Sequence, residues 1–102
     1  MSDSNFRVED VLGSKARVKI LKELAKAEEL TISLLIRRTK LNYTNVNKHL
    51  KHLISLNLVQ EKKFGRIRIF RYRIEDPKAR IFRNLIDIWE NKIEIKGSRE
   101  EN

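Results

Sequence analysis

The sequence predicts a mainly α domain with one small β-hairpin, and three observations carry that prediction. Apolar residues recur at i, i+3 or i+4 and i+7 in three separate stretches, the spacing of half-buried helices. Residues 58–74 instead alternate apolar and charged side chains on either side of Gly65, the pattern of two strands joined by a tight turn. The 102 residues, 40% hydrophobic and 36% charged, suffice for one modest core.

Taken in order, residues 1–7 read as a disordered N-terminus, although the apolar run Phe6, Val8, Val11 and Leu12 suggests a short helix ending at Gly13. Ser14 can cap a helix over 15–27, in which Val18, Leu21 and Ala25 form one ridge and Ile20, Leu24 and Ala27 another. Leu30, Thr31 and Ile32 are too few for more than a strand fragment. Thr31 or Ser33 can cap a short helix over 33–39, with Leu35 and Ile36 toward the core. Lys40 and Leu41 make a turn without the glycine often found at such a point.

The next helix organises the chain. Asn42 is an N-cap, and Val46, Leu50 and Leu53 share one stripe flanked by Tyr43 and Ile54. The opposite face carries Thr44, Asn45, Asn47, Lys48, Lys51 and His52, amides and cations with no carboxylate. An ordinary surface helix mixes both signs of charge, whereas amides and cations are the groups that read base edges and neutralise phosphates in a major groove. Leu56, Leu58 and Val59 close the core behind it.

The hairpin follows, 58–63 leading to Phe64-Gly65 and 66–74 returning. Its return strand changes parity: Ile67 and Ile69 alternate with arginines, then Phe70, Tyr72 and Ile74 do. A bulge or strong twist would accommodate that change. Alternatively, only Phe70, Tyr72 and Ile74 pack on the helices, and Arg66–Ile69 belongs to a projecting tip. That tip, with Lys62, Lys63, Arg66 and Arg68, is suited to phosphates or a minor groove. Charge that merely protects a sheet edge would need fewer cations. Asp76-Pro77 then starts a last helix reaching about Ile93 or Ile95. Its ridges, Ile81, Leu85 and Ile88 against Phe82, Ile86, Trp89 and Ile93, hold more apolar surface than one small core needs, which points to an interface between copies. The alternative is that the helix caps its own core with Phe6 and Val11. The tail, 96–102, reads as disordered, leaving one domain over 8–95.

Charge reinforces the reading. Residues 37–73 hold eleven basic side chains and one acid, Glu61, whereas the rest of the chain holds twelve basic and thirteen acidic residues. Concentrating a net charge of +9 on a third of the sequence is the footprint of a polyanion partner; solubility or heat adaptation would spread it.

The order helix, helix, strand fragment, helix, recognition helix, basic hairpin, helix is a winged helix-turn-helix with an additional C-terminal helix. The stretches RVKILKELAK (17–26), LTISLLIRRTKL (30–41), NVNKHLKHLISLNLV (45–59) and FGRIRIFRYRI (64–74) resemble ArsR-type winged-helix transcription regulators over roughly residues 8–93. The resemblance implies base and phosphate contacts at Tyr43, Thr44, Asn45, Asn47 and Lys48, and wing contacts at Lys62, Lys63, Arg66 and Arg68. It also implies a dimer interface made by the first and last helices, with Val11, Ile81, Phe82, Leu85, Ile88 and Trp89 as its residues. Metal sensing does not carry over. The sequence has no Cys, and its only histidines, His49 and His52, lack further ligands.

The expected function is a homodimeric regulator of double-stranded DNA, with recognition helix 43–55 in the major groove and wing 62–71 on phosphates or a minor groove. An architectural protein coating DNA with little specificity would share the basic surface. A protein-interaction module is the third reading, disfavoured because interface cores are depleted in charge. No phosphate loop, metal spacing or nucleophile–base set suggests an enzyme, and no cofactor or metal is expected. The absence of an apolar leader or of a run near ~18 apolar residues predicts a cytoplasmic, nucleoid-associated protein with no membrane partner.

Overall fold

Among the described residues, each α-helix from Ser14 onward starts where a side-chain oxygen accepts an otherwise orphaned backbone N–H, and these caps set where the helices begin. A computed structural model describes residues 7–91. Helix α1 is Val8–Leu12 and α2 is Lys15–Ala27, with Ser14 Oγ accepting from the Arg17 N–H at 3.1 Å. Strand β1, Glu29–Thr31, runs into α3, Ile32–Thr39, capped by Thr31. Helix α4 is Tyr43–Ser55, with Asn42 Oδ1 accepting from the Asn45 N–H at 2.8 Å. Strands β2, Val59–Phe64, and β3, Ile67–Tyr72, form the hairpin, and α5, Pro77–Ile86, starts on the Asp76 cap. A π-helical turn, Asp87–Asn91, follows α5.

The three-stranded sheet has the order β1-β3-β2, both pairings antiparallel. The core lies between the helices and the inner face of the sheet. Ile20, Leu21, Leu24 and Ala25 of α2, Leu35 of α3, and Val46, Leu50 and Leu53 of α4 are buried there with Phe70 and Tyr72. The apolar stripes expected of the second and fourth helices are those the core uses.

Four expectations need correction or completion. Arg7, assigned to a disordered terminus, is the residue that opens α1, its N–H donating to Asp10 Oδ2 at 3.2 Å. The parity change in the return strand involves no bulge: β2 and β3 stay in register through six consecutive pairs, Val59↔Tyr72 to Phe64↔Ile67. Phe70 and Tyr72 face the core, Ile74 is half-buried beyond the strand's end, and Ile67 is exposed near the tip. The last helix keeps α-helical geometry only to Ile86, after which the wider turn alters the angle between side chains. The expectations for Phe6, for Ile93 and the helix end at Ile93 or Ile95, and for the tail 96–102 lie outside the described residues.

Candidate nucleic-acid interface

The turn between α3 and α4 aims the recognition helix. Thr39 is fully buried, donating its hydroxyl to the Leu35 carbonyl at 2.7 Å and accepting from the Leu41 N–H at 3.4 Å. Lys40 takes the left-handed conformation, φ 61° and ψ 27°, that a glycine would adopt without strain. Helix α4 then packs Val46, Leu50 and Leu53 inward and turns its other face to solvent.

On that face Tyr43, Thr44, Asn45, Lys48 and Lys51 are exposed. Asn47 and His52 are half-buried, and the Asn47 Oδ1 and His52 Nε2 atoms are enclosed with no hydrogen-bond partner among the described residues. A bidentate contact to adenine uses both atoms of an amide. Asn45 can present both, whereas Asn47 in this rotamer has its oxygen turned inward. His49 lies beside the core stripe, its Nδ1 accepting from Arg17 Nε at 3.2 Å. Burial, followed by the nearby charges of Arg17, Lys48 and His52, lowers the His49 pKa below 6.5.

The wing cations divide into two groups. Lys63 and Arg66 are exposed near Gly65, which makes the turn at φ 64°, and neither makes an ion pair among the described residues. Lys62 instead pairs with Glu29 at 2.9 Å across the sheet. Arg68 is bound by Glu61, with Nε and Nη2 donating to the carboxylate at 2.7 and 3.3 Å, and its Nη1 donates to the Tyr43 hydroxyl at 3.0 Å. Glu61 had no functional assignment in the sequence reading, although its signal was visible: it is the one acid in the basic segment 37–73. Arg37 and Lys40 are further exposed cations, beside the turn into α4.

A second surface is formed by α1 and α5. Val8, Val11 and Leu12 of α1 and Ile81 and Leu85 of α5 line an apolar groove of about 330 Å³. Ile81 and Trp89 are 68% and 70% exposed, and Leu85 and Ile88 are also open to solvent. Phe82 is only 9% exposed, so it belongs chiefly to the core and forms part of the groove wall. Among the described residues no group of three or more His, Cys, Asp or Glu is placed to hold a metal ion, and no helix is long and apolar enough to cross a membrane.

Residues 14–61 match the family model described as bacterial regulatory protein, arsR family. Among solved structures, a homodimeric winged helix-turn-helix DNA-binding domain from Mycobacterium bovis, a possible ArsR-family transcriptional regulator, superposes with a TM-score of 0.70 at 28% identity, covering 91% of this chain and 84% of that one. The transcriptional repressor PagR of Bacillus anthracis superposes at 0.66 with 21% identity, covering 82% of this chain and 91% of that one. The transcriptional repressor BigR of Xylella fastidiosa superposes at 0.70 with 15% identity, covering 87% and 86%. The last two likenesses concern the fold. No curated protein matches this chain in sequence.

Proposed function

We propose that the chain, which matches the arsR family model over residues 14–61 and superposes on a possible ArsR-family winged helix-turn-helix domain, is an ArsR-type transcription regulator that binds double-stranded DNA sequence-specifically as a homodimer. The observation that carries the proposal is the outer face of α4, where Tyr43, Thr44, Asn45, Lys48 and Lys51 stand exposed without a carboxylate among them. Helix α4 enters the major groove, Asn45 reads a base edge, and Lys48 and Lys51 meet phosphate or guanine. Lys63 and Arg66 at the wing tip add phosphate contacts and much of the salt-dependent affinity.

The dimer is proposed to form on the groove of α1 and α5 and the π-helical turn that follows it, where Val11, Ile81 and Leu85, and then Ile88 and Trp89, offer apolar surface that one copy leaves uncovered. The Mycobacterium bovis domain, described as homodimeric, supports dimerisation by analogy, and the exposed apolar surface of this chain supports the choice of face. A two-fold pair presents two recognition helices to half-sites about 34 Å apart, one turn of DNA. The role is binding rather than catalysis, in the cytoplasm at the nucleoid. No metal takes part in this reading: His49 already serves as the acceptor for Arg17.

Fluorescence anisotropy against two labelled duplexes tests the proposal, one duplex from upstream of the protein's own gene and the other a scramble of equal length and composition. A difference of about 10³ or more at physiological salt is the expected result. Equal, steeply salt-dependent binding would identify an architectural DNA-coating protein instead. No binding to either duplex at low salt would leave a protein-interaction module.

A further inference from the structure

Arg68 stands where the alternation of β3 calls for an apolar side chain. Its face of the strand continues through Phe70 and Tyr72, both buried, and the facing residues of β2 are Val59, Glu61 and Lys63. The guanidinium is engaged on three sides. It holds both Glu61 carboxylate oxygens, at 2.7 and 3.3 Å, donates to Tyr43 Oη at 3.0 Å, and sits 5.2 Å from the centroid of the Phe70 ring. The Arg68 and Glu61 side chains are only 23% and 21% exposed. The Arg68 hydrogen bond, ahead of any other influence, also holds the Glu61 carboxyl below the usual carboxylate range, so the pair stays ionised at neutral pH.

The location gives the pair its importance. Strand β1 pairs with β3 only from Ile69 to Arg71, so the hairpin beyond Ile69 has no third strand beside it. A two-stranded ribbon without such support is marginal in water. Tyr43, the first residue of α4, is bonded to Arg68 across that gap.

We propose that Arg68 is a positioning residue: with Glu61 it ties the wing to the first turn of the recognition helix, sets the spacing between the two DNA-contacting elements, and does not itself meet phosphate. The inference rests on the DNA-binding reading above. It departs from the sequence expectation, in which Arg68 and Tyr43 were simply further DNA contacts.

The test uses the full chain and the charge-neutral double variant Glu61→Gln/Arg68→Gln, with Arg66→Ala as the phosphate-contact control. Anisotropy on a labelled mixed-sequence duplex gives the slope of log affinity against log salt. Arg66→Ala should flatten that slope by about 0.9. The double variant should keep the wild-type slope while binding about two- to tenfold more weakly, because a pre-set wing must now be ordered on binding. Hydrogen exchange on the free protein should show faster amide exchange at 62–68 than in wild type. A slope flattened as in Arg66→Ala would make Arg68 a phosphate contact and overturn the proposal, as would unchanged affinity and exchange. Wild-type protein that fails to bind DNA at low salt would instead overturn the DNA-binding reading and leave the exchange arm to judge the tie. If the double variant does not fold, Tyr43→Phe, which deletes one partner of Arg68 from an exposed side chain, carries the exchange measurement with the same two outcomes.

Discussion

Lys48 and Asn45 sit on the same exposed face of α4, yet their chemistry separates them. An ammonium is a point charge that neutralises phosphate regardless of sequence, so Lys48→Ala should weaken binding to every duplex and flatten the salt slope by about one. An unchanged slope in a salt titration removes Lys48 from the phosphate contacts. An amide reads a base by its paired donor and acceptor. Asn45→Ala should therefore reduce discrimination between target and random DNA by about 1–3 kcal/mol. Asn47→Ala should cost less, because the Asn47 oxygen is turned inward; equal losses on target and random DNA would show that these amides only position the helix. Tyr72 belongs to the core. Its buried hydroxyl donates to the Ala79 carbonyl at 2.6 Å, joining the sheet to α5. Tyr72→Phe keeps the ring and should lower unfolding stability by about 1 kcal/mol without altering DNA affinity. Urea denaturation and anisotropy together check both halves of that expectation.

At the scale of elements, Arg17 of α2 is a junction. It donates to His49 on the recognition helix and to the Asp10 carbonyl of α1, so α1, α2 and α4 meet at one guanidinium. The bond to His49 requires an unprotonated Nδ1, and burial, with Arg17, Lys48 and His52 adding to it, holds the His49 pKa below 6.5. The fold therefore favours neutral His49 while the unfolded chain binds a proton more readily. The stabilisation is present above the unfolded value of about 6.5 and is lost as pH falls through the lower folded value. Urea midpoints should decline between about pH 7 and pH 5. His49→Gln, which retains an acceptor but no titrating ring, should weaken that decline, and an equal decline in the variant would assign it to other groups.

For the whole molecule, the proposed function assigns separate tasks to two surfaces, DNA binding to the basic face of α4 and the wing and dimerisation to the apolar groove of α1 and α5. Leu85→Glu places a charge in the groove wall without touching α4. It should convert a dimer to monomers in sedimentation and reduce affinity for a two-half-site duplex by about tenfold or more, while binding to a single half-site is largely kept. A variant that remains dimeric would move the interface elsewhere.

How much was legible depended on how local the signal was. The bounds of α2 and α4 follow from Ser14, Asn42 and the stripes behind them, because a cap and a 3.6-residue period act within a few residues of chain. The hairpin and its turn at Gly65 were legible for the same reason. Strand parity was legible only as alternatives: a bulge or twist that let both sets pack, or a single inner face of Phe70, Tyr72 and Ile74 with Ile67 and Ile69 toward the tip. Packing against the helices selected the face of Phe70 and Tyr72 and left Ile67 in solvent. The same limit applies to α5, where two apolar ridges looked alike in sequence and the packed structure buried Phe82 and Ile86 but exposed Ile81.

The sequence by itself determined the order of the elements, their caps, and the concentration of positive charge on the recognition helix and wing, since each depends on near neighbours or on composition. Only the tertiary structure decided which cations stay available. Lys63 and Arg66 remain open at the tip, whereas Lys62 is drawn to Glu29 and Arg68 to Glu61 and Tyr43. The Lys62–Glu29 and Arg68–Tyr43 contacts join side chains more than twenty residues apart, and even the Arg68–Glu61 pair depends on the hairpin's register. A charge is paired by whatever the fold brings within a few ångströms, which no local pattern specifies.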